Sequence, residues 1–416
     1  MKILWITNIV FPEAEKILTG KGELKSSGGW LLGTAEELLK NDEIELTVAT
    51  PTSLVHELKY LKGGKISYYL FPFGKGNTKY NKDYELYWKE INRKLCPNVV
   101  HIHGTEFTHG LAYVKACGTK NVVVSIQGLV SEIVDYYNYG LSPIDIAKNI
   151  TLRDLLRGTL FHDKKVFRRK GHYEIELLQL VNHVIGRTSW DRAHIWAINP
   201  NAQYHFCNET LRPEFYNSES WKYEQCAPHT IFLSQATYPI KGLHIVLKSM
   251  PMILRQYPDV QIRVAGMDIT RSKEGMLGRL KLSGYGKIIR SLIKKYQLEN
   301  KICFLGNLDA KEMIKEYLCA NVFICPSSIE NSPNSLGEAQ ILGTPVVASY
   351  VGGIPDMMQG DEEHIYRFDD FVLLAKEICD VFNSTCNMQN LIDRAKLRHN
   401  RVENVLRLIG IYKCIV

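Results

Sequence analysis

Two glutamates with seven residues between them, Glu330 and Glu338, lie in the stretch Pro326–Gly353, PSSIENSPNSLGEAQILGTPVVASYVGG. Pro333 breaks the chain between them, and Asn334 or Ser335 is placed to cap a helix that begins there, with Glu338 in its first turn. The amides of Ser335 and Leu336 would then form an anion site at the helix start, with one carboxylate on either side. A carboxylate that accepts two hydroxyl hydrogen bonds clamps a sugar or a ribose, while the helix dipole holds a diphosphate. The plainer alternative is an ordinary capped helix in which Glu338 only favours the dipole.

Three smaller groups could share that chemistry. Lys241-Gly242 follows an apolar run and could give a point charge to a leaving phosphate, although a lysine beside a turn glycine is also a common surface feature. Gly28-Gly29 precedes the apolar-periodic stretch Trp30–Leu39, where backbone amides could approach a phosphate or sugar; a glycine pair there is as often just a turn. His101-Ile102-His103-Gly104 closes a buried-type strand, and alternation sends both imidazoles to one face. Open α/β sheets bind ligands at the carboxyl ends of their strands, which favours His103 over His101; packed core histidines are the alternative.

The elements that must position these groups read as alternating βα units. Strands are predicted at Lys2–Thr7, Glu45–Ala49, Ile66–Phe71, Asn98–His103, Asn121–Ile126 and His183–Arg187 in the first half. In the second they are predicted at Thr230–Ser234, Gln261–Ala265, Lys301–Leu305, Asn321–Cys325 and Thr344–Ser349. Each set suffices for its own parallel sheet. The turn-rich stretch Asn208–Pro228 separates them and puts the boundary near residue 225. The expected organisation is an N-terminal domain over 1–225, a C-terminal domain over 226–390, and an amphipathic helix over 391–416.

With 416 residues, 45% hydrophobic and 23% charged, the chain is too long for one core and too apolar for general disorder. A net charge of +7 lacks the density of a nucleic-acid binder and suits phosphates or anionic lipid. No run reaches the roughly 18 apolar residues of a membrane span, and Met1–Phe11 reads as a first strand better than as a signal peptide. Ten cysteines without a Cys-x-x-Cys pair point to a reducing cytoplasm and no metal site. Two segments are strongly basic. Leu152–His172 has seven Lys/Arg against two acids, interleaved with Leu, Val and Phe, and reads as an amphipathic helix suited to an anionic membrane surface. Ile269–Lys301 has nine against two and reads as a solvated helical face.

Taken together, the residues resemble the retaining nucleotide-sugar glycosyltransferases of family 4. The most specific part is Glu330-Asn331-Ser332-Pro333-Asn334-Ser335-Leu336-Gly337-Glu338-Ala339 with Gly343-Thr344-Pro345-Val346-Val347 and Gly352-Gly353 downstream. Gly28-Gly29, His101–Gly104, Gly186-Arg187-Thr188-Ser189, Lys241-Gly242, Ala265-Gly266 and Phe304-Leu305-Gly306 support it. The resemblance implies the GT-B fold, in which two Rossmann-like domains face across a cleft and a C-terminal helix returns to the N-domain. It implies a hexosyltransferase using a UDP- or GDP-linked donor, without a metal, and a saccharide or lipid-linked acceptor in the synthesis of bacterial surface polysaccharide such as capsule. Glu330 would hold donor-sugar hydroxyls, Glu338 the ribose, Lys241 the diphosphate with the amides near Ser335, and His103 the sugar. Gly28-Gly29 would approach the reacting centre. Where the family often has an arginine for the diphosphate, this chain has Gln235, which leaves more charge for Lys241 and the helix dipole.

Such an enzyme would be cytoplasmic and peripheral on the inner membrane face. Two other readings share the architecture: a sugar-nucleotide epimerase or inverting transferase, and a non-catalytic subunit that binds a sugar nucleotide. The glutamate spacing favours the retaining transferase, and the presence of His103, Lys241, Glu330 and Glu338 counts against a dead subunit.

Overall fold

Runs of Val, Ile and Leu that are buried on both faces make central parallel strands, and the apolar helices between them cover the faces. The structure, a computed structural model, describes residues 1–20, 29–73, 79–271, 281–384 and 388–416. The first sheet has eight strands: β1 Lys2–Ile6, β2 Glu45–Thr52, β3 Lys59–Lys62, β4 Ile66–Pro72, β5 Val99–His103, β6 Val122–Ser125, β7 His183–Gly186 and β8 Gln203–Phe206. Their order is β3-β4-β2-β1-β5-β6-β7-β8, and only the β3–β4 pair is antiparallel. Strand order reverses at β1, which pairs with β2 on one side and β5 on the other. A crevice opens at the carboxyl ends of strands at such a point, and His103 is the last residue of β5.

The second sheet has six strands: β9 Thr230–Leu233, β10 Gln261–Val264, β11 Ile302–Phe304, β12 Val322–Cys325, β13 Val346–Ser349 and β14 Ile365–Tyr366. Their order is β11-β10-β9-β12-β13-β14, with every pair parallel. The reversal falls between β9 and β12, so the loops after these strands carry the candidate ligands Lys241 and Glu330.

All eleven predicted strands are present, with no end shifted by more than three residues. Three strands escape the sequence reading, each at a sheet edge. The side chains of β3 (KYLK) and β8 (QYHF) are partly solvated and form no apolar run, and β14 is only two residues long.

The chain divides into two units, one made of Met1–Glu132, Val166–Arg212 and His399–Val416, the other of Ile133–Lys165 and Pro213–Arg398. The division falls at Arg212–Pro213 instead of near residue 225, because the turn-rich stretch is already tied to the second unit. Phe215 meets Tyr317 edge-on, the Trp221 indole donates to the Ala320 carbonyl at 2.7 Å, and the Ala227 amide donates to the Cys319 carbonyl. The expected tail helix is two helices, Gln389–Arg398 and Arg401–Ile415. Asn400 caps the second by accepting from the amides of Val402 and Glu403, and only this helix belongs to the first unit. The segment Leu152–His172 is likewise not one helix: Gly158 ends Leu152–Arg157, and a longer helix, Leu160–Leu180, follows.

Candidate functional site

The loop after β12 runs Pro326–Glu330 and brings its glutamate to Lys241, which lies beyond β9. The Lys241 ammonium donates to Glu330 Oε1, and the Ser327 hydroxyl donates to the same oxygen at 2.8 Å. Two glycines make this possible. Gly242 has φ +73°, and a Cβ there would stand 1.9 Å from the Pro326 carbonyl oxygen, so the lysine loop can lie on the glutamate loop only without a side chain. Gly352 has φ +50°, and its Cβ would fall 1.8 Å from the Glu330 carbonyl oxygen, which the Gly353 amide holds at 3.1 Å. The Ser328 amide completes the junction by donating to the Ile240 carbonyl at 2.8 Å. The Lys-Gly and Gly-Gly pairs thus fix the backbone on either side of Glu330.

Burial pulls the Lys241 ammonium towards neutrality, but Glu330 and then Tyr238 outweigh it and hold the group above the ordinary lysine range. Lys241 is therefore a permanent cation. Beneath the pair, burial first and Glu330 second push the Cys325 thiol up to about 12, so this sulfur is no nucleophile.

The helix after Pro333 spans Asn334–Leu342. Neither Asn334 nor Ser335 caps it: Pro333 occupies the N-cap and makes no side-chain cap bond. Glu338 is consequently the fifth helical residue and lies beyond the first turn. It is buried, with the Tyr317 hydroxyl 3.4 Å from its Oε2 and 3.0 Å from the Ser335 carbonyl. The Leu336 amide, expected to face a diphosphate, donates to the Pro333 carbonyl at 3.0 Å. Asn334 and Ser335 are half-buried at the helix start, and Gln235 is exposed on the loop after β9.

In the first unit, the two histidines of β5 have different fates. His101 is bonded on both sides: the Trp5 indole donates to the Tyr412 hydroxyl at 2.9 Å, that hydroxyl meets His101 Nδ1 at 2.6 Å, and His101 Nε2 meets Ser125 Oγ at 2.6 Å. Since the tyrosine oxygen already accepts from Trp5, its own proton is best placed on Nδ1, which makes Nε2 the protonated nitrogen of His101. His103 stacks on His101 with ring centroids 3.7 Å apart and meets Trp5 edge-on at 4.5 Å. It is 7% exposed, and neither ring nitrogen has a hydrogen-bond partner among the described residues. Burial, with Arg187 adding, pushes His101 down to about 3; burial, His101 and Arg187 hold His103 well below the usual imidazole range. His103 is thus a neutral imidazole offering one donor and one acceptor.

A small cavity of about 30 Å³ beside it is lined by Trp30, Arg187, Glu209 and Thr210 among others, room for roughly one water. The Arg187 guanidinium donates to Glu209 Oε1, which also accepts from the Gln127 amide at 2.7 Å. Gly29 opens the helix Gly29–Leu38, where its Cα faces the Arg212 side chain; Gly28 lies outside the described residues. Sequence reasoning singled out Arg187 but had no signal for Tyr412, Ser125 or Glu209, which reach the site only through the fold.

Among the described residues, one group could hold a cation: Asp361, Glu363 and His364, in the turn before β14. Burial, against the pull of His364, lifts the Asp361 carboxyl to about 6.

The two parallel-sheet units are those of the GT-B fold. Residues 223–398, nearly all of the larger segment of the second unit, match the family described as Glycosyl transferases group 1. A D-inositol 3-phosphate glycosyltransferase of Corynebacterium urealyticum is 30% identical over 121 residues, 28% of this chain and 25% of that protein. A GDP-mannose-dependent monoacylated alpha-(1-6)-phosphatidylinositol monomannoside mannosyltransferase of Corynebacterium glutamicum is 29% identical over 125 residues, 28% of each chain. The matches thus span about a quarter of these relatives' length. Over the whole chain, the fold is that of Anabaena Alr3699/HepE in complex with UDP and glucose, with TM-score 0.64, 14% identity and 100% of both chains covered.

Proposed function

We propose that the protein transfers a sugar, with retention of its anomeric configuration, from a UDP- or GDP-sugar to a saccharide or lipid-linked acceptor in surface polysaccharide synthesis. The observation that carries this reading is the Lys241–Glu330 pair at the carboxyl edge of the second sheet: a permanent cation beside a carboxylate on a glycine-locked backbone. A relative named for GDP-mannose and a phosphatidylinositol acceptor, and a fold neighbour holding UDP and glucose, support the choice of donor and acceptor classes.

The roles follow from charge. The leaving diphosphate gains negative charge as the bond to the sugar breaks, and Lys241 with the Asn334–Leu342 helix start stabilises it. Glu330 accepts from sugar hydroxyls and Glu338 from the ribose. His103 gives the sugar a neutral donor and acceptor. The acceptor attacks the face from which the diphosphate leaves, so the glutamates are not the acid and base of a hydrolase. The protein would work in the cytoplasm, on the inner membrane face, without a metal.

A screen of UDP- and GDP-sugars with saccharide and lipid-linked acceptors tests this, with nucleotide release and product anomer as readouts. Retained configuration, unaffected by EDTA, is the expected result. An inverted product, interconversion of the donor sugar alone, or binding without turnover would replace it with the inverting, epimerase or non-catalytic reading.

A further inference from the structure

The part of the first basic segment up to Lys165 and the described residues of the second lie in the second unit. The helix Pro143–Lys148 stands against the helix Gly284–Lys295, and the next helix, Leu152–Arg157, brings its Asp154 carboxylate close to Gly284. The Thr151 hydroxyl donates to the Leu282 carbonyl at 2.7 Å, and the Lys287 ammonium, 139 residues from its partner, donates to the Lys148 carbonyl at 3.2 Å. Lys248 reaches from the helix Leu243–Gln256 to the Gly140 carbonyl at 2.9 Å.

In the helix Leu152–Arg157, what is buried and what is shown are inverted, whereas Pro143–Lys148 buries Ile146. In Leu152–Arg157 the inward residue is Asp154, 6% exposed and locked with Thr151 in a capping box. The outward ones are Leu152, Leu155 and Leu156, the last two 70% and 75% exposed, and Ile144 of the preceding helix is 63% exposed. An amphipathic helix that serves only its own core does the opposite. Lys148 and Arg157 are exposed on the same helices, and Lys294 and Lys295 on the helix Gly284–Lys295, where Arg290 is tied to the Thr270 carbonyl; Asp145 is an exposed acid among them.

We propose that this composite face, aliphatic tips set among lysines and arginines, docks on an anionic lipid surface. Leucines and an isoleucine enter the headgroup boundary while the cations meet lipid phosphates. The alternatives fit less well: a second copy would set like charges against each other, and single-stranded nucleic acid calls for aromatic platforms where this face offers aliphatic ones. The surface differs from the one the sequence suggested, because Lys164 already bonds the Asp135 carbonyl at 3.5 Å and Lys170 lies over the Phe107 ring. The proposal takes its use from a membrane-confined acceptor but is tested without donor or acceptor, so the transfer reading can fail or stand separately.

The test is co-sedimentation of the full chain with vesicles of phosphatidylcholine alone or mixed with phosphatidylglycerol, at low and high salt. Binding is expected only to the mixed vesicles and is expected to weaken with salt. The double variant L155S/L156S should lose it about ten-fold or more, and K148Q/R157Q several-fold, with thermal melts unchanged because all four side chains are exposed. Size-exclusion chromatography of L155S/L156S without vesicles supplies the second readout. Wild type that ignores the mixed vesicles, or a double variant that still sediments while K165Q/R168Q does not, overturns the proposal. A wild-type dimer that the leucine variant converts to monomer also overturns it and assigns the face to a second copy.

Discussion

Lys241 and Glu330, 89 residues apart in the chain, share one carboxylate oxygen contact that also receives the Ser327 hydroxyl. The site therefore rests with its cation already neutralised, and an arriving diphosphate competes with Glu330 for Lys241. Substituting Glu330→Gln keeps the shape and an acceptor oxygen but removes the counter-charge. We expect kcat/KM to fall about a hundred-fold, on the scale of losing one preorganised electrostatic partner. Thermal melting should drop by only a few degrees, since both side chains keep some contact with water. A variant with wild-type turnover would remove Glu330 from the reaction.

Glu338 is held against Tyr317 deep in the helix face, away from the reacting bond in the proposed roles. A ribose contact is made before and during reaction. Glu338→Ala should therefore raise the donor KM at least as strongly as it lowers kcat. Steady-state kinetics with varied donor check this, and a pure kcat effect would contradict the ribose role.

Gly242 has no room for a methyl group. Gly242→Ala should force the Lys241 loop off Pro326 and break the pair with Glu330, lowering both activity and melting temperature. Gly20 has a similar positive φ but open space around it, so Gly20→Ala is the matched control and should leave activity intact.

Acid should destabilise the fold through its buried histidines. His101 is pushed to about 3, and His109 and His244 to about 4, in each case mainly by burial. Below pH 6.5 the unfolded chain takes up protons on these residues and the folded chain does not, so stability falls with falling pH until about pH 4 to 3. Each contributes roughly 1.4 kcal/mol per pH unit in that window. The melting temperature should decline steadily from pH 6.5 downwards, and His244→Gln should make the decline shallower; an unchanged slope would show that His244 does not stay neutral.

Most of the frame could be read from the sequence because central parallel strands are apolar throughout: Val122–Ser125 and Val322–Cys325 need no context to be recognised. The edge strands could not, since a residue such as Tyr60 or His205 can face water on one side and carries no periodic signal. At the candidate site, Glu330, Glu338 and Lys241 stand out by their types and spacing, but nothing in the sequence pairs Lys241 with Glu330. The helix start was read wrongly at Asn334 and Ser335 because a preceding proline can hold the N-cap by backbone shape alone. Tyr412 was invisible for another reason. Its contact with His101 spans 311 residues, and nothing in a tyrosine near a chain's end says which strand it will meet.

The first unit is built from three separate stretches of chain, and the last is the helix Arg401–Ile415. Its Leu408, Ile411 and Tyr412 belong to the same core cluster as Ile3 and Trp5. A ribosome delivers Trp5 and His101 early and Tyr412 late, so the sheet that begins first is sealed last. The second unit ends at Arg398 and precedes it to completion. Until the helix Arg401–Ile415 has been made, His101 lacks the hydroxyl that orients it, and His103 lacks its settled neighbour.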